Sequence, residues 1–150
     1  MTTQRKTLRR RQSGMLLIEV MVTIIIVSFG MLGVAGVILN SLKANESSYG
    51  RAQAVWLAND IIDRMRANRV AAESINLPYN LALNGTPAGT GVPTTDLTSW
   101  LAAVGTTLPS GKGSVSVVSA TKKVTVTVQW DDSRAAGGSS SQQFVVETRL

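Results

Sequence analysis

The fold is decided by residues 15–39, MLLIEVMVTIIIVSFGMLGVAGVIL, an apolar stretch in which Glu19 is the single charged residue. The 23 residues from Val20 to Leu42 include no ionisable side chain. As a helix with a rise of about 1.5 Å per residue, they would extend about 34 Å, enough to cross a hydrocarbon core of about 30 Å. The stretch therefore predicts a transmembrane helix over 15–42.

The positive charge of the chain is concentrated in front of this helix. The sequence has 15 Lys and Arg against 9 Asp and Glu, a net charge of +6, and five of the cations fall in the first eleven residues: Arg5, Lys6, Arg9, Arg10 and Arg11. From Met15 onward the count is 10 cations against 9 acids. The charge thus predicts a cytoplasmic N-terminus with the chain beyond Lys43 across the membrane, and it predicts no nucleic-acid partner.

Composition argues against an enzyme. The chain has no Cys and no His, so it lacks the thiol nucleophile, the commonest general base and the commonest metal ligand. No nucleophile–base pair, metal cluster or glycine-rich phosphate loop stands out. Asp131 and Asp132 are adjacent, but two carboxylates are too few ligands for calcium. We therefore predict no catalytic residue, no metal and no cofactor.

Three kinds of N-terminal segment are compatible with a basic leader before an apolar run. They are an uncleaved signal anchor, an ordinary secretory signal and a twin-arginine signal. The apolar run is too long for a secretory signal, which usually has about 7–15 apolar residues. None of the three explains Glu19, because a charge near the start of an apolar span costs up to about 2.5–3.5 kcal/mol on insertion. Such a carboxylate calls for a partner.

The motif Gly14-Met15-Leu16-Leu17-Ile18-Glu19-Val20, after a short basic leader and before a long apolar helix, resembles the type III signal of type IV pilins and related pseudopilins. The resemblance implies that a prepilin peptidase removes residues 1–14 by cutting between Gly14 and Met15. It also implies N-methylation of Met15, which stands where the family usually has Phe. Glu19 would be the fifth residue of the mature chain.

The resemblance further implies how Glu19 finds its partner. Helices of neighbouring subunits pack in parallel with axial offsets, so Glu19 can meet the new amino group of a neighbour's Met15. Each charge is costly alone in an apolar medium, and pairing relieves both. The alternative is a boundary residue that extends to the lipid headgroups.

Gly30, Gly33 and Gly36 recur within the apolar run. Each glycine lowers helix stability by about 0.8–1 kcal/mol relative to alanine. Two interpretations stay open: close helix–helix packing in the membrane, or a flexible segment that unwinds when the subunit enters a fibre. The second is implied by the family, in which a helical stretch near this position melts on assembly.

Residues 43–72 are predicted to continue the helix as an amphipathic half. An apolar stripe at a spacing of 3.6 comprises Ala54, Leu57, Ala58, Ile61, Ile62 and Met65, with Asn59, Asp63 and Arg66 opposite. Residues 63–68, DRMRAN, resemble the helix end of PilV-type minor pilins, also called type IV pilus modification proteins. Arg64, Arg66 and Arg69 suit the negative end of the helix dipole or, alternatively, bind a partner.

Residues 73–150 are predicted to form a small globular head. A long loop over 73–111 is interrupted by one short helix with apolar residues at 97, 100, 101 and 104, an N-cap at Thr95 or Asp96, and Gly105 after its end. Alternating apolar residues predict three strands around 115–117, 124–130 and 144–146, joined by a turn at 120–122 and a flexible connection over 131–141. The predicted fold class is α+β: a long N-terminal helix packed under a small antiparallel β-meander, as in pilins.

The resemblance implies a structural subunit that primes or decorates a type IV pilus, with roles in assembly, adhesion and twitching motility. Its partners would be other pilins and minor pilins, the prepilin peptidase, the inner-membrane assembly machinery and the membrane. Before assembly it would span the inner membrane once with a periplasmic head, and afterwards it would lie in the fibre at the cell surface. The alternatives are a pseudopilin of a type II secretion system and a membrane-anchored periplasmic binding module.

Overall fold

The computed structural model describes residues 15–135 and 137–150. The helices are α1 (Met15–Ala67), α2 (Arg69–Ala72) and α3 (Val92–Thr107), and the strands are β1 (Lys112–Val118), β2 (Lys123–Trp130) and β3 (Gln142–Arg149). The chain divides after Leu39 into two compact units. The first contains the start of α1, and the second, residues 40–150, contains the rest of α1 and every other element.

The predicted stripe on the second half of α1 is confirmed. All six of its residues are at most 2 % exposed, while Asn59, Asp63 and Arg66 are exposed. Because side chains three and four residues apart share a helix face, the periodic apolar residues form one continuous surface against the head. This surface contributes about a third of the buried core.

The three strands form the predicted antiparallel meander, in the order β1-β2-β3. Val126 at the centre pairs with Val115 of β1 and Val146 of β3. Alternate side chains of β1 and β2 point to the core and are buried. A sheet with one apolar face buries it against a helix, so α1 from Ala54 onward packs against the sheet and the fold is α+β.

The prediction for α3 was wrong at both ends. The helix begins after Gly91, which is its N-cap, has Pro93 in its first turn, and continues through Gly105 to Thr107. Neither Thr95 nor Asp96 caps it. The Asp96 carboxylate instead accepts a 2.6 Å hydrogen bond from the Tyr79 hydroxyl. This contact comes from a distant part of the chain, which local capping rules do not take into account.

Trp100 of α3 lies at the centre of the core. It is fully buried, and its Nε1–H donates a 2.8 Å hydrogen bond to the main-chain carbonyl of Leu57 in α1. Its ring lies directly on Gly113 of β1, where a Cβ atom would overlap ring atoms. Gly113 is therefore required for the close approach of α3 to the sheet.

Polar contacts hold the loop after α2 and the C-terminus in place. The Tyr79 hydroxyl also accepts a 3.2 Å bond from Asn68, so it links the end of α1 to α3 through Asp96. At the C-terminus, Leu150 donates its N–H to the carbonyl of Lys122 at 3.1 Å, and its own carbonyl accepts a 2.8 Å bond from Arg69. The last residue is thereby attached both to the sheet and to α2.

Candidate functional site: the apolar half of α1

The first unit consists, in its described part, of one helix whose side chains from Leu17 to Leu39 are all exposed. Residues 17–39 are almost entirely apolar, and no side chain of this segment is buried. Within the described residues, α1 is the one helix long and apolar enough to cross a membrane. Because an exposed apolar surface of this size is unfavourable in water, the segment requires lipid or other helices around it.

Glu19 lies on this helix without an ion-pair partner among the described residues. The Thr23 hydroxyl bonds to the main-chain carbonyls of Glu19 and Val20, both at 2.8 Å, so it uses no atom of the carboxylate. Gly14, on the N-terminal side of the expected cleavage position, lies outside the described residues, whereas Met15 is the first residue of α1. The Glu19 carboxylate is thus exposed one helical turn beyond the expected new terminus.

Gly30, Gly33 and Gly36 are all helical, and α1 is continuous through them. A Cβ atom added at any of the three would meet nothing within 4 Å. No contact among residues 15–135 and 137–150 therefore requires glycine at these positions. Close packing against another helix and unwinding on assembly both stay predictions for these glycines.

Arg64 and Arg66 at the end of α1 and Arg69 at the start of α2 all form contacts within the chain. Arg64 forms an i,i+4 ion pair with Asp60 at 3.1 Å and also bonds to the Ser99 hydroxyl of α3 at 2.7 Å. Arg66 pairs with Asp63 at 3.0 Å. Arg69 pairs with Glu73 on α2's C-terminal side. These intrachain contacts supply a structural role for each arginine.

Glu73 also forms an ion pair, at 2.7 Å, with Lys122 in the turn between β1 and β2. The hydrogen bonds from Lys122 and Arg69 together hold the pKa of Glu73 below its ordinary value. This pair of contacts joins α2 to the far end of the sheet. The cluster has a structural role, because the one carboxylate binds both cations and so connects two separate parts of the head.

A cleft that the sequence patterns do not predict lies between α1 and the connection that follows β2. It has a volume of about 160 Å³ and lies beside Trp130 and Gly50. At one side the Ser47 hydroxyl donates a 2.6 Å hydrogen bond to the Asp132 carboxylate, which is 8 % exposed. This bond fixes the start of the connection against the helix. No periodic signal marks Ser47, because its partner is 85 residues away.

Asp131 and Asp132 do not converge on a common point for a cation. The Ser133 hydroxyl and N–H bond to Asp131 and lower its pKa, while Asp132 bonds to Ser47. Within residues 15–135 and 137–150 no group of three or more acidic side chains could hold a metal ion.

The described residues with the strongest functional signal are therefore those of the apolar helix with Glu19 near its start. Comparison of the chain with family models, with curated proteins and with solved structures found no match.

Proposed function

We propose that this chain is a minor pilin of the PilV type, a structural subunit that is processed at Gly14 and joins a type IV pilus through its N-terminal helix. The observation that carries the proposal is the combination of a basic leader, a glycine five residues before Glu19, and an uncharged stretch of 23 residues. The long α1 supports it, because one helix supplies both an apolar exposed half and an amphipathic half beneath a small head.

Glu19 has a specific role in this proposal. Cleavage before Met15 creates an α-amino group with a reference pKa of about 7.7–8.0, which is cationic near neutral pH. In a bundle of parallel apolar helices this cation and the Glu19 carboxylate of a neighbour form an ion pair. Removing one partner leaves a buried charge uncompensated, which costs several kcal/mol. The pair therefore sets the axial register of subunits.

Processing is tested by mass spectrometry of the protein purified from its own membrane. The expected mature chain begins at Met15 and carries one additional methyl group on its amino end. A chain that still begins at Met1 contradicts the proposal and favours a simple signal anchor.

The role of Glu19 is tested by Glu19→Ala, with Glu46→Ala as the matched control on an exposed site of the same helix. Glu19→Ala should insert normally into the membrane but be lost from sheared fibres, since it has no carboxylate to pair with the amino group of a neighbour's Met15. Glu46→Ala should reach the fibre at the level of the unaltered chain. Equal incorporation of both variants would refute the charge-pair role.

Deletion of the gene separates the pilus from the secretion system. A minor pilin should be needed for normal surface piliation, because it primes or decorates the fibre. Loss of enzyme secretion with unchanged pili would instead identify a pseudopilin.

A further inference from the structure

The two edges of the sheet differ. At the β1 edge, the main-chain N–H and carbonyl of Val115 bond to Leu81 at 2.9 and 2.8 Å, and the Val117 N–H bonds to the Asn80 side chain at 2.7 Å. A loop therefore covers this edge. No described residue pairs with the outer side of β3, which is the other edge strand.

The register shows which groups of β3 are unpaired. Leu150 lies opposite Lys122 and donates its N–H to the Lys122 carbonyl, so this is a hydrogen-bonded pair. Hydrogen-bonded and non-bonded pairs alternate along an antiparallel ladder. The residues of β3 that direct their N–H and carbonyl groups away from β2 are therefore Gln143, Val145, Glu147 and Arg149.

The side chains of β3 also lack cover. Phe144 and Val146 point toward the core but are only half-buried, whereas their partners Val128 and Val126 in β2 are fully buried. On the opposite face, Val145 is 54 % exposed. A fourth strand beside β3 would bury both faces of this edge. β3 contains neither proline nor lysine, two residues that often protect an edge, and its charged residues, Glu147 and Arg149, lie near one end.

We propose that β3 pairs with β3 of a second copy of this chain, antiparallel and with Val145 on the two-fold axis. In this register Val145 faces its counterpart and Phe144 faces Val146 of the other copy, twice by symmetry. Gln143 then faces Glu147, so the outward main-chain groups of these three positions form about six hydrogen bonds across the axis. Two three-stranded sheets become one continuous sheet.

The side chains that face each other in this register favour a second copy of this chain as the partner of β3. The register places each aromatic or branched apolar side chain of the edge opposite another, an arrangement that stabilises strand pairs. It also places Glu147 and Arg149 opposite the uncharged Gln143 and Ser141, so no like charges oppose. A shift by two residues would instead set Phe144 against Thr148 or Val146 against Gln142. The interface closes on itself, as two-fold contacts do, and it does not rest on the proposed function.

The first test uses single cysteines, which are unambiguous because the chain contains none. Val145→Cys in the full chain in its membrane should form a disulfide-linked dimer on mild oxidation. Val118→Cys is the matched control, since Val118 is 47 % exposed at the end of β1. We expect at least tenfold more dimer for Val145→Cys. Mass spectrometry of the band should find this chain alone; a different protein in the band, or equal dimer for both variants, overturns the proposal.

The second test uses proline. The Val145 N–H points away from β2, so Val145→Pro removes no hydrogen bond within the chain, and the extended conformation required of Phe144 is already present. Light scattering of the detergent-solubilised full chain should give a dimer for the unaltered protein and for Val145→Thr, which keeps the N–H. Val145→Pro should be a monomer that still unfolds in one cooperative thermal transition, which shows that the head remains folded. A dimeric Val145→Pro, or a monomeric unaltered chain, refutes the pairing.

Discussion

Trp100 and Gly113 should be energetically coupled, because the Trp100 ring fills the space that a side chain at position 113 would need. Trp100→Phe removes the hydrogen bond to the Leu57 carbonyl, with a net contribution of about 0.5–1.5 kcal/mol. It also removes part of a fully buried ring, which costs about 1–2 kcal/mol more. We therefore expect Trp100→Phe to lower the free energy of unfolding by about 2–3 kcal/mol.

Gly113→Ala acts at the same contact from the other side. A Cβ atom on Gly113 would overlap Cη2 and Cζ3 of the Trp100 ring, so the ring or the strand must move. Overpacking of this kind costs about 1–3 kcal/mol. Phenylalanine at position 100 lacks those outer ring atoms. Gly113→Ala should therefore cost at least about 1 kcal/mol less in the Trp100→Phe background than in the unaltered protein.

The four proteins of this cycle can be compared by urea unfolding of residues 40–150, the unit that contains the whole buried core. Fluorescence of Trp130, which is buried in the core, reports unfolding in every variant. The double variant should be more stable than the sum of the two single effects predicts. If the two costs add within about 0.5 kcal/mol, the side chains are independent and the reasoning fails.

Three further predictions concern polar contacts of the head. Burial raises the pKa of Tyr79 to about 12. The contribution of Tyr79 to stability is therefore fully present at any pH below its ordinary pKa of about 10, and it is lost as the pH rises from there toward 12. Thermal unfolding from pH 9 to 12 should show this loss, and Tyr79→Phe should lessen it. The pKa of Glu73 is lower in the folded protein than its ordinary value. Ionised Glu73 therefore stabilises the fold at any pH above the ordinary pKa, and this stabilisation is lost as the pH falls through the lower pKa of the folded state. Acid unfolding should therefore be shallower for Glu73→Gln. Asn80→Ala leaves the Val117 N–H without its acceptor and should lower the free energy of unfolding by about 1–2 kcal/mol in urea titrations.

Regular elements could be predicted from the sequence because their signals are local. The stripe from Ala54 to Met65 repeats with the period of a helix, so burial of each member follows from its position. The strands alternate with period two, and the short connections between them favour a meander. The same local signals identified Glu19 as an isolated charge in an apolar helix.

Contacts between distant residues escaped prediction. Aspartate is a residue type that favours the N-cap position, but the Asp96 carboxylate accepts a hydrogen bond from Tyr79 instead. The N-cap of α3 is Gly91, earlier in the chain. The cover of the β1 edge by Asn80 and Leu81 likewise depends on how a long loop folds back. In each case the partners are set by tertiary packing rather than by spacing along the chain.

The anchoring of Leu150 has a practical consequence for labelling the protein. Since its N–H and carbonyl are both engaged, an epitope or fluorescent domain joined directly after Leu150 would begin next to a residue held by Lys122 and Arg69. Such a fusion therefore needs a flexible spacer between Leu150 and the added domain.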